Sequence, residues 1–536
     1  AQNYPELARI GVDTMKQFSL SMRDAIRMAL TDNNDIAIAR QNVRIAEFVL
    51  KGAYGAYDPL ASGVSEYQRT INPVSSLIIA GADGTLTDKN FNNSATVKGL
   101  SPFLGGNYQL DFVANKTKTN NLFTSLIPQY PTQLTLTYTQ PLWRGLLIDD
   151  SRRQIDISKK NLALSDAQFR QRAIEVIANV QQAYWDLVFA LKNVQVQNDS
   201  LREAQSQLEH TRRMVAGGLS APIDVVETET QVATFQQSLY TALNGVTSAE
   251  NTLKNLVLRN QLSPLWSQAI QPTDPVDLKA PATTLDNAVA TAYSNRPEVK
   301  QSDVNKELNE INKRYFRDQT RPQVNLTGTY GLIGLSGTAS QTINPLTGSQ
   351  DVVNERINLL STLNGLTVLP PTTSSSGVPP ILIGGVGQSF SNLFTNNFNT
   401  YTAGITFSLP IRNRTAKAQL GQALVEGEQI QTQREQLEDQ IQVDVRNALQ
   451  SARTSEAVLH AATIQRDKSE QQYASEQRKL DAGQSTLFLL FQRQTAVATA
   501  RGQELKAQTD LNKAIAVLQR VTGSTLEANS IVISAH

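Results

Sequence analysis

Leu134-Thr-Leu-Thr-Tyr-Thr-Gln-Pro141-Leu-Trp-Arg-Gly145 and Gly404-Ile-Thr-Phe-Ser-Leu-Pro410-Ile-Arg-Asn-Arg414 are the two stretches that decide the fold. Each alternates apolar and polar residues up to a proline. Leu134, Leu136 and Tyr138 share one side, and Thr135, Thr137 and Thr139 the other. Ile405, Phe407 and Leu409 alternate with Thr406 and Ser408. A two-residue period with one greasy side predicts a strand. Beyond each proline the period turns helical, to about Ala216 in the first copy and about Leu480 in the second.

Working outward, the two stretches belong to an internal duplication. Ala25 and Ala288, Asp35 and Glu298, and Pro59 and Pro322 are each 263 residues apart. Pro141 and Pro410 differ by 269. A constant offset with the same order of elements means two long repeats. In the first, a helix capped by Ser19 or Ser21 carries Ala25, Ile26, Ala29 and Leu30 on its inner face, and a second runs from about Asp35 to Tyr57.

The long helical stretches follow a heptad. Ala173, Val180, Leu187, Val194, Leu201, Leu208 and Val215 recur every seven residues, the seam of a coiled coil. The second copy keeps the frame less purely at Val445, Ala452, Leu459, Arg466, Tyr473 and Leu480. Gly217-Gly218 and Gly483 end the two helices as glycine C-caps. A returning helix follows each, over about 222–260 and 485–521. The first long helix, at roughly 105 Å, is nearly matched by its returning helix and the early helix placed end to end. Narrow apolar seams with polar surface elsewhere suit a hollow cylinder wetted on both sides.

Composition narrows the function. The net charge is +1, which implies no attraction to nucleic acid. Arg152-Arg153 and Arg212-Arg213 read as solvated helix faces. There is no cysteine, hence no disulfide, thiolate site or lipidated N-terminal cysteine. No run approaches the ~18 apolar residues of a membrane helix, so a membrane span would have to be a closed barrel. Catalysis finds little support. His210, His460 and His536 lack metal-like spacing, and no phosphate-binding or nucleophile-elbow motif occurs. Gly331-Leu-Ile-Gly-Leu-Ser-Gly337 reads as a strand end entering a loop.

Further β-like segments precede each junction. Residues 107–114 alternate, with Tyr108, Leu110 and Phe112 on one face; 95–100 pair with them, and 60–69 are a weaker candidate. Asn-rich stretches at 71–94 and 115–131 read as loops. In the second repeat Val324, Leu326 and Tyr330 alternate with Asn325, Thr327 and Thr329, and a Ser/Thr/Gly/Pro-rich stretch, 334–398, follows. Ser389-Phe-Ser-Asn-Leu-Phe394 reads as a short helix within it.

The duplicated order of strand, loop, strand-Pro, long helix, Gly turn and returning helix resembles the outer-membrane efflux protein family typified by TolC. The carrying motifs are Thr139-Gln-Pro-Leu-Trp-Arg-Gly145, Phe407-Ser-Leu-Pro-Ile-Arg-Asn-Arg414, Gly217-Gly-Leu-Ser-Ala-Pro-Ile-Asp224-Val-Val and Gly483-Gln-Ser-Thr-Leu-Phe-Leu-Leu. The resemblance implies an α+β membrane protein: a homotrimeric outer-membrane β-barrel, about four strands per subunit, and a long periplasmic α-helical coiled-coil barrel. It implies an N-terminal arm (1–18), upper helices (19–58), barrel strands and loops (59–142) and a long hairpin (143–260). An equatorial linker (261–283) leads to the second upper helices (284–321), strands and long loop (322–410), hairpin (411–523) and C-terminal tail (524–536). The linker and termini would pack around the middle of the tunnel.

The function implied is the passive exit channel of a tripartite efflux pump. Its partners would be a periplasmic adaptor, an inner-membrane transporter and outer-membrane lipid, with no cofactor. A type I protein-secretion duct and, in a different class, a non-channel coiled-coil scaffold are the alternatives. The chain opens at Ala1-Gln2 without a charged and apolar leader, which fits export by a cleaved signal peptide or a trimmed start.

The site residues implied cluster at the hairpin tips. Gly217, Gly218, Leu219, Ser220, Asp224, Gly483, Gln484 and Ser485 would meet the adaptor; Asp224, Glu227, Leu489, Leu490 and Gln492 would form the periplasmic gate. Asp224 and Glu227 also suit a helix start on dipole grounds alone. In the family, aspartates after the second Gly turn ring the constriction. Aligned from Gly483, those positions are Leu489 and Gln492, and the locking basic and aromatic positions are Ser485 and Leu480. This chain departs from that pattern, so a constriction that gates by dewetting at Leu489 or Leu490 is expected instead. Phe390 and Phe394 would pack the loop or line the outer mouth, and Trp143 would pack the junction or join an aromatic belt.

Overall fold

The computed structural model describes residues 9–75, 79, 84–260, 262–276, 279, 282–340, 348–369 and 378–533. Residues 1–8 of the expected arm, parts of the linker, loops and long 334–398 stretch, and 534–536 of the tail lie outside them. The chain divides into two units: Ala1–Val49, Ser158–Asn309 and Glu426–His536 form one, and Leu50–Ile157 with Glu310–Val425 the other.

The first unit is helical. Its elements are β1 (Asp13–Leu20), α1 (Met22–Asp32), most of α2 (Asn34–Tyr54) and the bulk of α3 (Asp150–Ala216). Then come α4 (Pro222–Val257), β6 (Gln268–Pro272), α5 (Leu285–Asn295) and the first half of α6 (Pro297–Gln319). The last elements are most of α9 (Arg414–Asp481), then α10 (Leu487–Val521) and α11 (Thr525–Ala528). The repeats match in length: α1 and α5 have 11 residues each, α3 and α9 have 67 and 68, α4 and α10 have 36 and 35. Even the caps repeat. Ser21 accepts the Asp24 N–H at 3.1 Å, and Thr284 accepts that of Asn287 at 3.4 Å. Each satisfies one orphan donor of a helix start.

The heptad reading of α3 is met in the packing. Ala173, Val180, Leu187, Leu201 and Leu208 are buried and Val194 is partly so. Ala173, Val180 and Leu187 cluster with Ala25, Ile26, Ile36 and Val43 from α1 and α2 and with Val246, Leu253 and Val257 from α4, and Leu201 and Leu208 with Val232 and Phe235 of α4 and Ala498 of α10. The second repeat builds a parallel cluster from Ala288, Ala292, Ile441, Val445, Ala452 and Leu518. Arg466, the impure heptad position, pairs with Glu504 across the hairpin at 3.0 Å. A polar seam position is thus met by a charge on the returning helix.

The β1–β6 ribbon escaped the sequence reading. β1 pairs in parallel with β6 of the linker. Residues 13–20 show no strict alternation, and a five-residue partner leaves little periodic signal. The ribbon is tied to α4 by a buried cluster. Lys254 donates to the carbonyls of Trp266 and Gln268 at 2.9 and 2.7 Å, and Glu250 accepts the Ile270 N–H at 3.3 Å.

The second unit contains β2 (Leu60–Pro73), β3 (Thr85–Leu100), β4 (Asn107–Thr119), β5 (Leu126–Pro141), β7 (Gln323–Ala339) and β8 (Asn399–Ser408). They form one antiparallel sheet in the order β2-β3-β4-β5-β7-β8. This corrects the expected four strands: six lie in one sheet, and the segments within 95–114 join it as part of an inserted hairpin. The Asn-rich stretches misread as loops extend the strands, as in Glu66–Asn92, where the amide donates to the carboxylate at 3.1 Å. Polar side chains on one side of a sheet cost nothing when that side is wet, so asparagine content there is no loop signal. The 334–398 stretch contributes the end of β7, α7 (Gly348–Leu363) and α8 (Val386–Phe394).

Candidate functional site

Register sorts the sheet into two unlike sides, because directly paired residues share a side. On one, β3 to β8 present Ala95, Val97, Tyr108, Leu110, Phe112, Leu134, Leu136, Tyr138, Leu326, Tyr330, Leu332, Tyr401, Ile405 and Phe407. The other presents Thr96, Gln109, Asp111, Thr135, Thr137, Thr139, Asn325, Thr327, Thr402 and Thr406. Many of the apolar side chains stand uncovered: Ile405 is 69% exposed and Tyr401 83%. Soluble proteins rarely leave so large an apolar surface bare.

The apolar side is bounded by aromatic rows. Tyr108 and Tyr138 face each other at the end near Pro141, and Tyr67 and Phe91 face each other at the far end. Tyr108 lies over Gly99, where a Cβ would come within 2.5 Å of the phenol oxygen. Between those rows β3 advances roughly 27 Å. At a 35–45° tilt that is roughly 19–22 Å, against a band about 25 Å tall in outer-membrane barrels. α8 docks on the same side, over the part of the band toward its far end. Phe390 stacks on Phe112 at 5.9 Å, the Ser389 hydroxyl bonds that of Thr132 at 2.8 Å, and Leu393 is buried. Gly334 makes room, since a Cβ there would sit 2.2 Å from the Ser389 carbonyl. Phe394 stands exposed.

At the near end the strands are pinned to the segment after Pro141. Asp318, nearly buried, accepts the Gly145 N–H at 2.7 Å and pairs with Arg321 at 3.2 Å. Arg144 bonds the Gln323 amide, and the Arg153 guanidinium lies 4.3 Å over the Tyr315 ring. Trp143 is about half exposed.

The hairpin tips follow from glycine. Gly218 (φ +72°) and Gly483 (φ +70°) take the left-handed conformation that closes each long helix. The Leu219 N–H then returns to the Met214 carbonyl at 2.8 Å, and the Gln484 N–H to that of Lys479 at 2.8 Å. Gly217, Gly218, Gly483 and Gln484 are exposed, Leu219 is 73% exposed, and Ser220 and Ser485 are half-buried. Asp224 accepts the Ala221 N–H at 3.1 Å, while Glu227 stands in solvent. Leu489 and Gln492 are exposed, whereas Leu490 is buried in the hairpin.

Two tip contacts had no sequence signal, because they join residues across a turn. Arg212 reaches Glu229 at 2.9 Å. The Ser485 hydroxyl bonds the Glu476 carboxylate, and that bond, aided by Lys479, holds Glu476 below the usual carboxylate range.

A sheet with the dimensions of a membrane wall, joined in one chain to duplicated long helical hairpins, defines a narrow class of proteins. Among the described residues no helix is long and apolar enough to cross a membrane. Residues 107–257 and 373–524 match the family described as outer membrane efflux protein, and together they make up more than half of the chain. The chain belongs to the outer membrane efflux protein family.

Solved structures agree on the fold. The Campylobacter jejuni CmeC outer membrane channel is 14% identical, over 94% of this chain and 86% of that one, with a TM-score of 0.61. For CusC the values are 13%, 97%, 95% and 0.63. For the open state of the Neisseria gonorrhoeae MtrE outer membrane channel they are 17%, 94%, 89% and 0.58. No curated protein matches the sequence. At such low identity these likenesses establish the fold alone.

Proposed function

We propose that this chain is the outer-membrane exit channel of a tripartite efflux pump, a passive homotrimeric conduit. The six-stranded sheet spans the outer membrane, and the helical hairpins lie in the periplasm. The tips around Gly217, Gly218, Leu219, Ser220, Gly483, Gln484 and Ser485 meet a periplasmic adaptor, with an inner-membrane transporter behind it. Leu489 and Gln492 narrow the periplasmic end.

The observation that carries this reading is the pair of bare sheet edges. Among the described residues β2 and β8 each lack one neighbour, and their side chains are almost wholly exposed. Unpaired backbone groups are not tolerated in lipid. In an antiparallel run of six, the first and last strands point oppositely. The β8 edge of one copy therefore meets the β2 edge of the next antiparallel, and the ring closes with no edge left. Three copies give an eighteen-stranded barrel. At 4.8 Å per strand and a 40° tilt its backbone diameter is roughly 36 Å, against roughly 24 Å for twelve strands.

The test is single-channel conductance of the detergent-extracted protein in planar bilayers, with its mass measured. Discrete openings from a trimer are expected. A water-soluble species that never inserts would overturn the channel and favour a coiled-coil scaffold.

A further inference from the structure

Beyond the far aromatic row, the apolar side of the sheet carries a row of cations. Arg69 on β2 is paired with Lys89 on β3, and Lys89 with Lys118 on β4. One step nearer the band, Tyr67 is paired with Phe91, and Phe91 with Lys116. Direct pairing sets all of these on the side that carries Leu110 and Phe112. Lys116 Nζ lies 5.9 Å from the centroid of the Tyr130 ring.

The four basic side chains are exposed, and none has a carboxylate partner among the described residues. The nearby acids Glu66, Asp88 and Asp111 fall on the opposite side by register. Like charges directly opposite each other destabilise a sheet, with Cβ atoms about 5 Å apart. Three in a row, next to two exposed aromatic rings, make a surface completed by an anion from outside the chain.

We propose that Arg69, Lys89, Lys118 and Lys116 form a binding site for the phosphate-bearing headgroup of an anionic lipid in the outer leaflet, its acyl chains lying along the apolar band below. The assignment rests on the sheet being a membrane wall. Two arguments select a lipid over a free anion. The cations lie on the apolar side and not on the polar one, and they begin level with the aromatic row at Lys116 and continue to the next same-side row beyond it, at the depth where headgroups meet the hydrocarbon. β5 and β7 carry no basic row at that level; α8 covers them instead. Two of the site's three strands, β3 and β4, are the inserted hairpin, so the insertion supplies most of the site.

The test uses full-length trimer in phosphatidylcholine nanodiscs doped with lipid A, which carries phosphate monoesters. Lipid retention is measured by native mass spectrometry and titration, with conductance recorded on the same preparations. Wild type should retain lipid A in preference to phosphatidylcholine. The triple variant R69Q/K89Q/K118Q should bind it roughly 100-fold more weakly, each cation contributing roughly fivefold near a charged surface. Trimer mass and conductance should not change. Equal retention of the two lipids by wild type, or unchanged lipid A binding in the variant, would overturn the site while leaving the channel standing. Displacement of lipid A by millimolar inorganic phosphate would reassign the row to a free anion and overturn the lipid site. A wild type that neither forms trimers nor conducts would sink the channel reading, and the site with it. Arg69→Lys should restore binding lost in Arg69→Gln, which a purely structural role of the guanidinium would not do.

Discussion

Lys254 and Glu250 form an ion pair in which both side chains are wholly buried, the ammonium 2.6 Å from the carboxylate. Arg9 reaches the second oxygen of the same carboxylate at 2.7 Å. Lys254 spends its other protons on the carbonyls of Trp266 and Gln268. The pair therefore fastens the β1–β6 ribbon to α4. Breaking it with Lys254→Ala leaves a buried carboxylate short of a cation, which costs about 3–5 kcal/mol. Replacing all three charged residues, as in Lys254→Met with Glu250→Leu and Arg9→Met, should recover part of that loss, because no lone charge remains. Thermal unfolding of the wild type and the two variants checks the order. Hydrogen exchange of β1 and β6 should rise most in Lys254→Ala.

Tyr184 fixes the same ribbon by a different chemistry. Its phenol donates to Asp274 at 2.5 Å and accepts the N–H groups of Thr273 and Asp274 at 3.1 and 3.2 Å. Burial, then the hydrogen bond to Asp274, raises its pKa well above the ordinary 10.0. The folded state thus keeps the proton when the unfolded chain gives it up. The stabilisation is complete below pH about 10 and is lost as pH rises above it. Tyr184→Phe should cost about 1–3 kcal/mol at neutral pH, the penalty of unpaired buried groups. Melting curves between pH 8 and about 11.5 should show the wild-type advantage shrinking with alkalinity. A constant advantage would refute the linkage.

How far the residues alone carried the reading is clear from particular elements. The long helices, their glycine ends and the duplication were legible because heptads and offsets persist over tens of residues. Val180 and Leu187 are buried where the seven-residue period put them. The strands ending at Pro141 and Ser408 were legible because one side is greasy and the other is threonine. The 85–94 part of β3 was not, since Asn90, Asn92 and Ser94 on its polar side, mixed with Lys89 and Asn93 on the other, blur a two-residue period, whereas residues 95–100 pair with 107–112 as read. The basic row was invisible for a related reason. Arg69, Lys89 and Lys118 are far apart in sequence, and only register brings them together.

Closure of the sheet between copies is open to a direct chemical test, because the chain has no native cysteine. Thr402 lies on the polar side of edge strand β8, and Ser62, Val64 and Glu66 on the polar side of edge strand β2. Thr402→Cys is combined in turn with a cysteine at each β2 position. Mild oxidation should give covalent dimers and trimers with one of the three pairings, and little with its neighbours. Disulfides tolerate Cα separations only up to about 7 Å, so the best partner also reads the register. Monomers with every pairing would show that β2 and β8 do not meet.

The gate prediction concerns Leu489. It lies in the first turn of α10, its N–H accepted by the Thr486 hydroxyl at 3.4 Å, and it stands exposed while Leu490 is buried. Aspartate in that turn complements the helix dipole and is worth about 0.3–1 kcal/mol in stability, so Leu489→Asp should fold. In a trimer it places three carboxylates around one axis. Cation selectivity should rise, and trivalent cations at micromolar levels should block the variant at least about tenfold more strongly than wild type. Asp224→Asn is the control. That carboxylate already accepts the Ala221 N–H, and its loss should lower the melting temperature more than it alters conductance. Wild-type block as strong as that of Leu489→Asp would mean that the acidic residues of the first tip, Asp224 and Glu227, line the constriction instead. An apolar ring at Leu489 would then have no part in gating by dewetting.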